Sequence, residues 1–257
     1  MKFPHLNPYY RAALVLVIAA GVLLAVAITT DRRDITSAAL VISSMICLIT
    51  GIFLATLSSG EPLDIRYVSL LPVQGSINQS RICADLGVLG NAHFLPKGPG
   101  GRTETMQYIP VADYHNTPLS GDSFVTGNET SGLLTPPSGA PLLREIREHE
   151  HLQVPSDTPA LLDLVREIGE DVLEVADKVT ADAKGPTITV SFENYRLFSG
   201  CMAISAESPK CCTTHPCPVC SLVACVLAEG LGQTVLLERC STDPELRLVT
   251  AVFSLLP

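Results

Sequence analysis

The chain has 257 residues, 47% of them hydrophobic, no Trp and a formal net charge of −9. Its first 60 residues hold four Lys/Arg and two Asp/Glu, so 13 basic and 24 acidic residues remain beyond them, a net of −11. An acidic region of that kind, without a basic patch interleaved with aromatics, repels phosphate backbones and argues against nucleic-acid binding.

Ala12 to Thr30 is 19 residues without a charge, and Ile35 to Gly60 is 26 more, separated by Asp31-Arg32-Arg33-Asp34. About 20 apolar residues cross the hydrocarbon of a bilayer, so residues 1–60 read as a transmembrane hairpin with spans near 12–30 and 35–57. The first span is too long for a signal-peptide core and a second follows at once, which predicts that both are retained. Neither holds an ionisable residue, so the hairpin reads as an anchor and not a conduction path. Gly21 and the Ala/Gly content of both spans permit close helix–helix approach. Lys2, Arg11 and Arg66 flank the hairpin on the side of the following domain, against Arg32 and Arg33 in the turn. That bias places residues 61–257 in the cytoplasm, as does the free-thiol reading below. The sequons Asn78-Gln79-Ser80 and Asn128-Glu129-Thr130 point the other way, but short matches of this kind arise by chance.

Glu61 to Leu86 has a helical mix of residues interrupted by Pro72, which breaks or kinks a helix. Strand-like runs follow at Ala92–Leu95, Met106–Val111 and Gly132–Thr135, punctuated by Gly98-Pro99-Gly100-Gly101 and the turn-rich Asn116–Asn128. The first of these reads as a hairpin tip; an anion nest ending in Arg102 is the lesser reading. Ser138 can cap a helix starting at Gly139-Ala140-Pro141 and ending in Glu148-His149-Glu150-His151. Glu148 and His151 have the Glu-x-x-His spacing of di-iron sites, but no second copy exists, so they read as a charged helix end. Thr158 to Val179 carries Leu161, Val165, Ile168, Val172, Val175 and Val179 as one stripe at helical period, with Thr158 as N-cap and Pro159 in the first turn. After Lys184-Gly185-Pro186, strands are expected at Thr187–Phe192, Thr234–Glu238 and Leu246–Phe253. A short helix near Pro218–Leu231 is stopped by Gly230 and Gly232. The whole is an α+β domain, helices on a mainly antiparallel sheet, behind an N-terminal two-helix membrane hairpin.

Seven of the nine cysteines fall between Cys201 and Cys240. An odd number without regular spacing is unlike a secreted disulfide scaffold and predicts a reducing compartment. Cys212-x4-Cys217-x2-Cys220 has plant-type ferredoxin spacing, with Cys240 as a distant fourth thiolate. Zinc is the other metal this set can hold, with Cys211 and His215 as alternate ligands. Cys217-Pro218-Val219-Cys220 at a helix start also suits redox thiols, because the helix dipole favours the thiolate. The competing reading, of somewhat greater weight, is that these are small buried residues, Cys225 among them. No catalytic motif is present, and enzymatic activity is not the favoured reading.

The two-span hairpin, Glu61-Pro62, Gln107-Tyr108-Ile109-Pro110-Val111, the run from Leu133-Leu134-Thr135-Pro136-Pro137 to Leu143-Arg144-Glu145, Leu173–Asp182 and Pro218-Val219-Cys220-Ser221 together resemble an uncharacterised archaeal membrane protein family. It is best known from haloarchaea and classed as a domain of unknown function. The resemblance implies an archaeal cell-membrane protein with a cytoplasmic α+β domain, and brings no activity with it. It also implies that Cys217 and Cys220 stand where relatives carry apolar residues. The C-terminal helix and hairpin are similar, over a short stretch, to the vinyl-reductase type of small-ligand-binding domain. Two functions are therefore expected of the domain. The first is binding of a small ligand or of a protein partner at the inner membrane face. The alternative is an iron–sulfur, zinc or thiol redox module beside membrane electron-transfer machinery.

Overall fold

The computed structural model of the protein describes residues 8–29, 35–57, 64–98, 103–114, 119, 123–125 and 130–256. The chain forms two compact units, Met1–Leu63 and Asp64–Pro257.

In the first unit, α1 (Pro8–Thr29) and α2 (Ile35–Leu57) are apolar helices packed on each other. Both are long and apolar enough to cross a membrane. Large side chains such as Leu14, Ile18, Val22, Met45, Ile49 and Phe53 stay exposed, as expected where lipid is the solvent. The close approach runs through Gly51, where an added Cβ would lie 3.0 Å from Val17 Cγ2 and 3.3 Å from the Ala13 carbonyl. Gly21, expected to serve this purpose, meets nothing within 4 Å of such a Cβ. Small residues matter only where they face the partner helix.

The second unit is built on an eight-stranded sheet in which every neighbouring pair is antiparallel. Its strands are β1 (His93–Leu95), β2 (Met106–Pro110), β3 (Phe124–Val125), β4 (Gly132–Thr135), β5 (Lys178–Lys184), β6 (Thr187–Glu193), β7 (Thr234–Asp243) and β8 (Leu248–Leu256), in the order β3-β4-β2-β1-β7-β8-β6-β5. The α+β expectation holds. Period-two alternation decides the faces: Ile188, Val190 and Phe192 of β6 and Val249, Ala251 and Phe253 of β8 point into the core. Val190 pairs with Ala251 and Phe192 with Val249 across the ladder. A smaller apolar cluster of Leu95, Tyr108, Leu119, Val125 and Leu134 forms around β1 to β4. β1 and β2 pair antiparallel, and residues 99–102 of the Gly-rich segment between them, expected as a hairpin tip, lie outside the described ones. Most of Asn116–Asn128, Asn128 included, lies outside them too.

Among the described residues, seven α-helices complete this unit: α3 (Ile65–Leu70), α4 (Val73–Asp85), α5 (Ala140–His149), α6 (Thr158–Glu167), α7 (Phe198–Glu207), α8 (Pro209–Thr214) and α9 (Pro218–Leu231). Pro72 divides α3 from α4, as a residue without an N–H should. The central helix is α9, whose residues from Val219 to Ala228 are all buried. With α8 it forms a third segment apolar enough for a membrane span, yet 83% of that segment is buried inside the protein. A helix apolar all round belongs in a core as readily as in a bilayer.

Three local expectations fail for physical reasons. The helix from Thr158 does not reach Val179. It ends at Glu167, passes through a π-helical turn at Ile168–Val172, and the chain then enters β5. Glu174 sits at a φ of 47°, a left-handed conformation that no helix continues through. Val179 therefore faces the core from a strand, where period two and period 3.6 happened to coincide. Its N-cap is Asp157, whose carboxylate accepts the Ala160 N–H at 3.2 Å, and not Thr158. Ser138 does not cap α5 either. Its hydroxyl donates to the Pro216 carbonyl at 2.8 Å and ties the start of α5 to the segment before α9.

Candidate functional site

The cysteine-rich stretch folds as three consecutive helices and one strand, and this brings distant sulfurs together. Cys201 sits in the first turn of α7. Ser208 caps α8 by accepting the Lys210 N–H at 3.2 Å, which sets Cys211 and Cys212 on that short helix. Cys217 is the N-cap of α9, Pro218 occupies the first helical position, and Cys220 lies one turn inside. Cys240 is on β7, opposite Ala251.

Cys217 has Cys201 and Cys220 as thiol neighbours, and Cys240 has Cys212 and Cys220, so the five cysteines run as a series with Cys220 in the middle. Cys201 and Cys220 hold the Cys217 thiol well below its ordinary range. The same effect, led by Cys212, lowers Cys240. These neighbours shift the opposite way: Cys201, Cys212 and Cys220 are raised, first because each is the proton-bearing partner and then because each is buried. Tyr195, 2% exposed, brings its phenol to Cys217, and burial pushes that phenol well above its usual range. A thiolate stabilised by helix N–H groups is the form of cysteine that acts as a nucleophile.

All the cysteines are free. Four of the sequence-derived candidates, Cys212, Cys217, Cys220 and Cys240, are gathered here. Cys211 instead packs with Val73, Ile77 and Ile204. His215 turns to Cys83, its Nε2 3.6 Å from that sulfur. Neither alternate joins the set. Among the described residues, no three His, Cys, Asp or Glu side chains are arranged to hold a metal ion, so the geometry does not favour the metal alternative. Glu148 and His151 are exposed at the end of α5. Cys201 has no motif spacing to the others and joins the group only because α7 folds back.

Beside this cluster lies an open cavity of about 450 Å³. Its wall is almost wholly apolar: Leu71 and Pro72 before α4, Leu142 of α5, Ile204 of α7 and Val219 of α9. Cys201 and Cys217 stand on the same wall, and among the described residues Ser69 and Tyr195 are the only side chains there bearing N or O atoms and no charged residue lines it. The cavity depends on a close crossing of α3 and α7, where a Cβ on Gly200 would come 2.1 Å from the Ser69 carbonyl oxygen. No larger residue fits without moving one helix.

A second grouping is polar. Glu229, with its side chain only 6% exposed, accepts from Arg147 at 2.7 Å, lies 3.6 Å from Lys97 Nζ, and accepts from the Thr105 hydroxyl at 3.2 Å. A carboxylate so fully answered has its capacity used within the fold.

The model of a family described as a domain of unknown function (DUF7982) matches residues 6–253, nearly the whole chain. No curated protein and no solved structure matches the chain.

Proposed function

We propose that this chain, which belongs to the family of unknown function DUF7982, is a membrane-anchored binding module whose soluble unit takes a small apolar ligand in the cavity walled by α3, α5, α7 and the start of α9. The cavity itself carries this reading. At about 450 Å³ it falls inside the usual range of small-molecule sites, roughly 300–1,000 Å³, and has their chemistry, apolar walls with few polar groups. The two apolar helices support a multi-pass anchor in the cell membrane, and the sequence resemblance supports an archaeal one. Free thiols and the Lys/Arg bias support a cytoplasmic location for the soluble unit. Protein partners at the inner membrane face remain compatible with it.

The test is binding of a fluorescent hydrocarbon amine, 1-aminoanthracene, to the full chain in lipid nanodiscs. Leu71, on the cavity rim and 75% exposed, is replaced in a Leu71→Asp variant that leaves the core untouched. Saturable binding above the nanodisc background that weakens at least tenfold in this variant supports the reading. Equal signal from both proteins contradicts it.

A further inference from the structure

We infer that the ligand class is the lipophilic quinones, and that Cys217 and Cys201 on the cavity wall deliver two electrons to such a quinone and close into a disulfide. This rests on the apolar-ligand reading and deepens it.

Three observations converge. First, Cys217 and Cys201 stand on the same wall of an apolar cavity and pack with the same core cluster. Two neighbouring thiols are the reduced half of a dithiol–disulfide couple. Second, the lining excludes most oxidants for such a pair. It offers no cation to the carboxylates of a peptide disulfide or to the phosphates of a nicotinamide or flavin, and burying those charges unpaired is prohibitive. An uncharged, flat, apolar oxidant meets no such cost. Its two carbonyl oxygens need only one or two donors, and Tyr195 brings a hydroxyl to this wall, the Ser69 hydroxyl already donating to the Arg66 carbonyl at 2.8 Å. Third, oxidants of that description dissolve in lipid. Tyr67, Leu70 and Leu71, 69%, 49% and 75% exposed, lie on or just after α3, which begins eight residues after the apolar helix α2 ends.

The step balances within these groups. Cys217 Sγ adds to a ring carbon of the quinone, forming a C–S bond as the ring takes up the electron pair. Cys201 Sγ then attacks Cys217 Sγ, the S–S bond forms and the C–S bond breaks. The released ring carries both electrons, and the two thiol protons end on its two oxygens. Two thiols and one quinone become one disulfide and one quinol. Cys220 is the other neighbour of Cys217, but it does not line the cavity.

The experiment uses the full chain in nanodiscs, reduced and held without oxygen, with menadione as the probe. One quinol per chain is expected, read as loss of quinone absorbance, together with a Cys201–Cys217 disulfide in non-reducing peptide maps. Cys217→Ser should abolish both. Cys201→Ser should trap menadione on Cys217, a mass increase that a purely structural cysteine would not show. Quinol yield unchanged in Cys217→Ser, or a disulfide elsewhere, overturns the inference. Binding of the redox-inert 2-methylnaphthalene is measured alongside. If it binds and menadione is not reduced, the electron transfer is wrong and the apolar site stands; if neither binds, both fall.

Discussion

Cys201 on α7 and Cys217 at the start of α9 stand together on the wall of an apolar cavity, and Cys201 is the first of the neighbours that hold the Cys217 thiol well below its ordinary range. Cys217 should therefore be the fastest-alkylating cysteine of the second unit at pH 7, with Cys83 and Cys225, both raised by burial, among the slowest. Iodoacetamide labelling followed by peptide mass spectrometry measures the order. Removal of the Cys201 thiol in Cys201→Ala, worth about 1 kcal/mol, should move the pH midpoint of Cys217 labelling up by about 0.7 unit. Uniform rates across all the cysteines would refute the assignment.

Gly200→Ala tests the helix crossing that holds the cavity open. The added methyl has no room beside the Ser69 carbonyl, so α3 and α7 must separate. Overpacking of this kind costs about 1–3 kcal/mol. The expected result is a lower Tm together with weaker binding of the hydrocarbon probe. Wild-type behaviour in both would show that α3 is not fixed against α7.

Glu229 is a structural residue on this account. Its removal in Glu229→Ala leaves Arg147 and Lys97 without their anion, yet both are about half exposed and recover solvation. The cost should fall below the roughly 3–5 kcal/mol seen for fully buried pairs, at about 1–2 kcal/mol, with ligand binding unchanged. Urea denaturation and the binding titration together check this.

His93 and His215, each 6% exposed, are pushed down by burial from the usual 6.5 to about 4. A folded-state pKa below the unfolded value means that the unfolded chain binds the proton first. Stability is therefore complete above about pH 6.5 and falls as pH drops toward 4, by up to about 3 kcal/mol for each histidine. His93 packs against the rings of Tyr114 and Tyr108, which also meet each other, so His93→Phe keeps the aromatic contacts while removing one titration. Thermal melts at pH 7, 6, 5 and 4.5 should show a shallower loss in that variant.

The two long apolar helices, the fold class and most strands were legible because each rests on a pattern within one short segment. Gly132–Thr135 and Pro218–Leu231 have the boundaries read from the sequence. The tail of the Thr158 helix was misread because Val175 and Val179 satisfy helical spacing, and nothing local to them reveals that β6 pairs with that segment. Of the thiol cluster, Cys212, Cys217, Cys220 and Cys240 could be picked out by spacing and by their crowding. Cys201 could not, because its partner is set by how α7 packs and not by any repeat. The cavity was hidden for the same reason. Its walls come from four separate stretches, and the α3 residues read only as a mixed apolar segment.

The most direct measurement of the central claim is a map of where an apolar ligand sits. The full chain in nanodiscs is irradiated with a diazirine-bearing hydrocarbon ketone, and the labelled peptides are identified by mass spectrometry. Labels are expected on the segments carrying Leu71, Ile204 and Val219, competed by excess unlabelled ketone and lost in Leu71→Asp. Labels confined to α1 and α2 would mean that the ligand resides only in the lipid, and would contradict the account.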